Sequence, residues 1–528
     1  MSEPGTASLD TLLREALALH GQGQLEAAAQ RYQAILAQAP GHFDALHLLG
    51  VAHLQHGNLT DAERLIGQAL RINSRHAPAQ SNFGLVLRGL KKPADALAAF
   101  DQAVAAQPNV AENHLNRGLA LMDLERFADA LQPLDNAVAL NPSHADAHQA
   151  RSATFERLGR YEEAVAACDA ALRSRPEDAA TLYNRAKANY FLARAEAAQA
   201  DFRRSIALQP NFAEAHWGLA ESLLMAGADE EGWREYEWRF KSRVPTGGAG
   251  GPMTQFARDL PMPQWQGEAL AGKTILLHAE QGFGDTLQFC RYVRDVAQSA
   301  GRVVLEVQPP LRRLLETAIP SVAVVARGEA LPPADYHCAL LSLPRVLNLA
   351  SDRHTQAIPY VTAPSSLVVD RAQRLESMRR PRVGLVWFGM RDAAKEMHRS
   401  IPPELLSAFA DIEATFVSLQ LGLRPEDQVV PFIRDSVIQP EDLTDFADTA
   451  ALIAGLDLVI TVDTANAHLA GAMCKPVWVL LSAVGEWRWG LSGEQTSWYP
   501  TARLFRQSAP GDWRGVIGRV HEALRDLK

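Results

Sequence analysis

The sequence predicts an α-helical repeat solenoid followed by an α/β region of two doubly wound units facing a cleft. Three observations carry this reading. The first 240 residues repeat at a spacing of 34. From Trp265 the pattern changes to short apolar strands alternating with helices. Residues 457–481, DLVITVDTANAHLAGAMCKPVWVLL, read as a buried strand, a polar turn, a short helix and a second buried strand.

In the repeats, small residues recur at Ala16, Gly50, Gly84, Gly118, Ser152, Ala186 and Ala220, and again at Ala28, Ala62, Ala96, Ala130, Ala164, Ala198 and Gly232. Pro40, Pro108, Pro142, Pro176 and Pro210 share a third position, with Ser74 in the remaining slot. Small residues let two helices approach closely, and proline ends the second helix of each pair. This pattern resembles the tetratricopeptide repeat family, with about seven repeats between residues 9 and 242. Such stacks present an extended surface to protein partners. Asn82, Asn116 and Asn184 share one position on the first helices and are candidate acceptor-binding residues. Polar exposure or helix–helix hydrogen bonding is the more ordinary explanation. Their spacing resembles the asparagine ladder of the nucleocytoplasmic O-linked N-acetylglucosamine transferase family, interrupted here by Leu48, Ala150 and Gly218. The last repeat ends in EEGWREYEWRF, whose aromatics are expected to cap the solenoid and fasten it to the next domain. A Gly- and Pro-rich linker follows over 243–262.

A hydrophobic content of 47% places the chain among folded proteins, and a formal charge of −9 argues against a broad nucleic-acid footprint. Glu3, Asp10 and Glu15 stand where a signal peptide needs a basic and then an apolar run, and no apolar stretch approaches a membrane span, so a cytoplasmic location is expected. Cys168, Cys290, Cys338 and Cys474 form no close-spaced pair, which indicates neither a disulfide framework nor a thiolate metal cluster.

The strands KTILLHAE, RVVLEVQ, SVAVVAR and YHCALLSL form one α/β unit, 263–370, and RVGLVWFG, ATFVSLQ and DLVITVD belong to another, 371–528, which closes with a terminal helix in DWRGVIGRVHEALRDL. Candidate site residues follow strand ends, where parallel sheets gather ligands. Gly282 and Gly284 let backbone approach a ligand. Asp285 is either a general base or a helix N-cap. After the first strand of the second unit come Arg391, Lys395, His398, Arg399 and Ser400, with Arg399 suited to phosphate and Ser400 to a hydroxyl hydrogen bond. Gln420 closes a strand and could meet a base or ribose. At the polar turn, Asp463 orders the chain, while Thr464, Asn466 and His468 sit where the amides of a helix N-terminus can grip phosphate. No metal ligands are indicated.

GFGD at 282–285 and VDTANAHLAG at 462–471 resemble the two signatures of GT-B glycosyltransferases related to the bacterial heptosyltransferases. The resemblance implies two Rossmann-like units, the first for the acceptor and the second for a nucleotide-sugar donor. It also implies an inverting, metal-independent reaction without a cofactor, Asp285 as catalytic base, and Asp463, Thr464 and His468 against the donor. Ala465 departs from the glycine that the family often carries after the threonine. WRWG at 487–490, SWYP at 497–500 and RLFRQ at 503–507 are similar to bacterial proteins that join tetratricopeptide repeats to this domain. These include flagellin glycosyltransferases that attach nonulosonic acids from CMP donors. The expected partner is therefore a protein acceptor bound along the repeats, with flagellin as the specific suggestion; self-pairing into a homo-oligomer is equally compatible with a solenoid. The alternatives are a non-catalytic interaction scaffold with a degenerate transferase module, or transfer to a saccharide or lipid-linked glycan.

Overall fold

The computed structural model describes residues 8–242, 258–349, 358–389 and 399–527. Residues 243–257 of the expected linker, and Arg391, Lys395 and His398, lie outside them. The chain divides into two compact units, Met1–Leu192 and Ala193–Lys528. The division falls inside the repeats, between the sixth pair's helices, and not at the aromatic segment near residue 240.

The first unit is entirely helical: α1 (Leu9–Gly21), α2 (Leu25–Gln38), α3 (Phe43–Gln55), α4 (Leu59–Ile72), α5 (Ala77–Gly89), α6 (Pro93–Ala106), α7 (Ala111–Asp123), α8 (Phe127–Leu140), α9 (Ala145–Arg157), α10 (Tyr161–Ser174) and α11 (Ala179–Phe191). The periodic small residues have a direct steric cause. A methyl group at Gly50, Gly84 or Gly118 would stand 2.5–2.6 Å from a side-chain carbon of Ile66, Phe100 or Leu134, sixteen positions later in every case. Each prolyl carbonyl beyond a helix end also needs a donor. His114 Nε2 lies 2.8 Å from Pro108 O and His148 Nε2 3.0 Å from Pro142 O, while Gln80 donates to Ser74 O at 2.7 Å. Arg117–Asp101, Arg151–Asp135 and Arg185–Asp169 repeat one ion pair at 2.6–2.7 Å. They are half exposed, so each adds at most about 1 kcal/mol.

The asparagines are placed unequally. Asn82 Nδ2 lies 3.0 Å from His47 Nε2, a helix–helix hydrogen bond, and Asn116 is 3% exposed. Asn184 is half-buried.

The second unit begins with α12 (Ala195–Leu208), α13 (Ala213–Met225) and α14 (Asp229–Tyr236). Two parallel sheets follow. β1 (Thr274–His278), β2 (Arg302–Val307), β3 (Ala323–Ala326) and β4 (Tyr336–Ala339) lie in the order β3-β2-β1-β4. β5 (Arg382–Val386), β6 (Thr415–Ser418), β7 (Val437–Ile438), β8 (Leu458–Val462), β9 (Val477–Leu481) and β10 (Ala502–Arg506) lie in the order β10-β9-β8-β5-β6-β7. All pairings between them are parallel. The chain reverses its direction of winding between β1 and β4 and between β5 and β8, the two switch points at which strand ends leave room for ligands. The terminal helix Trp513–Arg525 buries Trp513, Val516, Ile517, Val520 and Leu524 in the core of the larger sheet. No helix among the described residues is long and apolar enough to cross a membrane.

The aromatic end of the repeats is built into this unit. Trp233 meets Phe289 and Trp487 edge to face, with ring centroids 5.7 and 5.3 Å apart, and Tyr236 lies 6.1 Å from Trp487. Burying such side chains on one another supplies several kcal/mol.

One periodic position carries strain. Gly23, Gly57, Lys91, Glu125 and Gly159 all have φ between 57° and 78°, where each first helix of a pair ends. Glycine adopts this conformation without a Cβ clash, and Lys91 and Glu125 do not. Lys91→Gly and Glu125→Gly should each raise stability by about 0.5–1 kcal/mol in urea unfolding. Gly84→Ala, which drives a methyl into Phe100, should lower it by about 1–3 kcal/mol.

Candidate functional site

The glycine-led loop after β1 and the polar turn after β8 come into direct contact. A Cβ at Gly284 would stand 2.8 Å from the His468 ring and 3.6 Å from Ala465 Cα, so glycine here permits the helix Phe283–Phe289 to seat on the helix Ala465–Ala472. Close packing of the two helices is one thing this glycine serves. Gly282 is the helix N-cap, and its N–H donates to Asp285 Oδ2 at 2.9 Å. Asp285 thus occupies the third helical position and reaches back to the cap, which is Gly282 and not the aspartate itself. The loop is steadied from β2, whose following residue Gln308 donates to Gln281 O at 2.8 Å and accepts from the Thr286 hydroxyl at 2.9 Å.

Asp285 Oδ1 also accepts a hydrogen bond from Arg488. Arg488, 5% exposed, lies over the Trp487 ring at 4.4 Å, donates to Gln288 Oε1 at 2.6 Å and to Glu486 Oε2 at 2.6 Å. The other oxygen of Glu486 accepts from Arg399. An alternating chain of charge results: Arg399, Glu486, Arg488, Asp285. Burial raises the Asp285 carboxyl above the ordinary aspartate range, and the neighbouring Arg488 opposes that shift. Asp463, which faces Glu486, Arg399 and Arg488, is pushed up to about 6, first by burial and then by the Glu486 charge.

The remaining candidates are fixed locally. Thr464 stands at the N-cap position of the helix Ala465–Ala472, and its hydroxyl lies 3.0 Å from that of Thr461 instead of on a backbone N–H of the helix. Asn466 Nδ2 reaches Leu419 O at 3.5 Å, while its amide oxygen is buried without a partner, as is the Ser400 hydroxyl. Gln420 accepts from Phe388 N–H at 3.3 Å, tying the ends of β5 and β6 together. His468 is 5% exposed, its Nδ1 2.9 Å from the Tyr499 hydroxyl and its ring stacked on Trp489. Burial and then Arg488 push it down to about 3, so the imidazole is neutral at physiological pH. It can offer a phosphate a hydrogen bond but no charge. Among the described residues, no group of three or more His, Cys, Asp or Glu side chains is placed to hold a metal ion. A cavity of about 550 Å³ beside β10 and the terminal helix contains none of the candidate residues.

Sequence reasoning did not assign roles to Glu486, Arg488 or Arg239. The signal for the first two was an arginine between tryptophans just after a buried strand. Arg239, wholly buried, donates from Nε and Nη2 to both oxygens of Glu280 at 3.0 and 2.9 Å, and to Ser342 Oγ at 2.8 Å. Glu280 accepts in addition from Leu341 N–H at 3.2 Å. This ties the last repeat to the residues that follow β1 and β4.

Residues 81–134, 115–179 and 183–236 match one tetratricopeptide repeat family and residues 19–81 a second. Residues 442–497, which hold Asp463, Thr464, His468, Glu486 and Arg488, match glycosyltransferase family 9 (heptosyltransferase). Protein FlbA of Caulobacter vibrioides is 29% identical over 372 residues, 65% of this chain and 60% of that protein, so the chain spans less than two thirds of that relative. Among solved structures, a tetratricopeptide repeat protein from Parabacteroides merdae aligns with TM-score 0.37 and 18% identity, covering 43% of this chain and 91% of its own. YrrB, described as a TPR protein with an unusual peptide-binding site, aligns with TM-score 0.31 and 23% identity, covering 33% and 90%. The chain thus carries segments similar to tetratricopeptide repeats, followed by a segment similar to glycosyltransferase family 9.

Two outcomes test this geometry. Arg239→Met should cost about 3–5 kcal/mol by leaving Glu280 charged and buried, and Arg239→Met with Glu280→Met should cost clearly less, as read by urea unfolding. The folded chain holds a proton on Asp463 between pH 3.8 and about 6 that the unfolded chain has lost, so stability falls as pH rises through that window. Asp463→Asn should flatten that part of the pH–stability curve.

Proposed function

We propose that this protein is an inverting glycosyltransferase that moves a sugar from a nucleotide-activated donor to hydroxyl groups of a protein recruited by its repeats. The single observation that carries the proposal is the packing of the Gly282–Asp285 loop onto the helix start at residues 464–466, which puts a carboxylate and two guanidiniums at one strand-end crossing. Asp285 takes the proton of the acceptor hydroxyl. The oxygen attacks the anomeric carbon, the bond from that carbon to the phosphate oxygen breaks, and the phosphate leaves with the electron pair. Arg399, the Ser400 and Thr464 hydroxyls and the helix amides stabilise the charge that develops there, and this needs no metal. Asp463, Asn466 and His468 hold the helix start in shape and face the donor, with Gln420 at the rim toward the nucleoside.

The repeats raise the local concentration of a protein acceptor. Asn82 is engaged by His47 and Asn116 is buried, so an asparagine ladder for the acceptor main chain would require Asn82 to exchange partners. Flagellin as acceptor and a CMP-nonulosonic acid as donor are the most specific form of the reading, supported by the similarity of the WRWG, SWYP and RLFRQ segments to proteins of that activity. A second reading, an interaction scaffold with an inert transferase module, is favoured by one observation: Asp285 is already engaged by both Arg488 and the Gly282 N–H.

Intact-mass measurement of a candidate acceptor incubated with a panel of sugar nucleotides separates these readings. Donor-dependent mass gain by the wild type, lost by at least about 100-fold in an Asp285→Asn variant that still unfolds cooperatively, is the expected result. Tight acceptor binding without any mass gain would assign the scaffold role.

A further inference from the structure

One feature of the site resembles a bound ligand more than a structural tie. Glu486 presents one carboxylate oxygen to Arg399 and the other to Arg488, the latter at 2.6 Å. Two guanidiniums holding two oxygens of one anion is also the arrangement in which arginines hold the non-bridging oxygens of a phosphate. The place is right for one. Arg399 follows β5, Asp463 and Thr464 follow β8, and Glu486 and Arg488 follow β9, all at strand carboxyl ends beside the β5/β8 switch point.

We propose that Arg399 and Arg488 form a two-guanidinium seat for the donor's phosphate, and that the Glu486 carboxylate is an internal competitor for it. This rests on the sugar-nucleotide reading above and adds to it a second phosphate-binding arginine and a gate.

The charge balance requires a competitor to yield. Among the described residues, three carboxylates, those of Asp285, Asp463 and Glu486, face two guanidiniums, so these five groups carry an excess of negative charge. A phosphate enters only when one carboxylate withdraws. Asp285 is tethered to the Gly282 N–H at 2.9 Å and its side chain is 16% exposed, whereas that of Glu486 is 32% exposed and can turn toward water. Arg399, 33% exposed, forms the open side of the seat. Arg488, 5% exposed, forms its rigid floor, held by Gln288 at 2.6 Å and by the Trp487 face. The exchange swaps one anion for another between fixed cations, so the departing phosphate of a glycosyl transfer would be displaced in turn by the returning carboxylate.

The test is calorimetric titration of the full chain with CMP, CDP, UDP, GDP, ADP and inorganic pyrophosphate. Glu486→Gln keeps the shape of the side chain and removes its charge, and should tighten binding of the nucleotide that the wild type prefers by about fivefold to tenfold. Arg399→Met should weaken it by at least about tenfold, with partial rescue in Arg399→Lys. In Glu486→Gln with Arg399→Met the gain should vanish. Arg488→Met is the companion variant, and Arg399→Met, at a more exposed position, keeps the test open if the buried substitution unfolds the chain. Unchanged or weaker nucleotide binding by folded Glu486→Gln would overturn the competitor role. Binding that ignores both arginines would overturn the seat while leaving a nucleotide site elsewhere. Failure of every nucleotide to bind either the wild type or Glu486→Gln would overturn the sugar-nucleotide reading together with this inference.

Discussion

A guanidinium with no exposed surface, Arg239, sets the position of much else in the second unit. Its charge is bearable because Glu280 receives it through two oxygens and Glu237 through a third at 2.8 Å, while Ser342 and the Tyr236 carbonyl accept further N–H bonds. Glu280 stands just ahead of the Gly282–Asp285 loop and also accepts the Leu341 N–H beyond β4. The pair therefore gives the last repeat, the first switch point and the candidate base one shared anchor. Burial of this kind contributes geometric definition more than net stability, since a hydrophobic pair of equal volume would serve stability as well.

From that anchor the site is assembled by close packing. Gly284 brings one short helix onto another, and His468 fills the space beneath with a neutral ring bonded to Tyr499 and stacked on Trp489. The charged residues then occupy what remains. Neutral His468 and the buried Trp487 and Trp489 remove water from around Arg488, which strengthens each of its ion pairs and makes a half-satisfied arrangement costly.

The repeats were legible to the residue because their physics is local. A small residue at Gly84 and a ring at Phe100 are separated by a fixed number of positions, and proline follows the second helix of five pairs in the same place. The core strands were legible as apolar runs. β7 was not, having two residues, and β10 was not, because Arg503 and Arg506 interrupt its apolar character. In the site, Gly284, Asp285, Asp463 and His468 were legible as positions after strand ends, but the packing they also serve was not: the glycine admits a helix and the histidine ring is stacked on Trp489. Glu486, Arg488, Arg239 and Glu280 escaped because the Arg239–Glu280, Arg399–Glu486 and Arg488–Asp285 pairs span 41 to 203 positions of chain, and no spacing rule reaches that far.

The aromatic joint has a practical corollary. The Gly- and Pro-rich sequence of residues 243–257 suggests a natural place to cut the protein into a helical part and an α/β part. A fragment beginning after them would lack Trp233, Tyr236 and Arg239, stripping Phe289 and Trp487 of their covering rings and stranding Glu280 in an oily surface. The severed half would come out sticky and misfolded. A fragment that carries its own lid starts near residue 193, where the molecule itself divides.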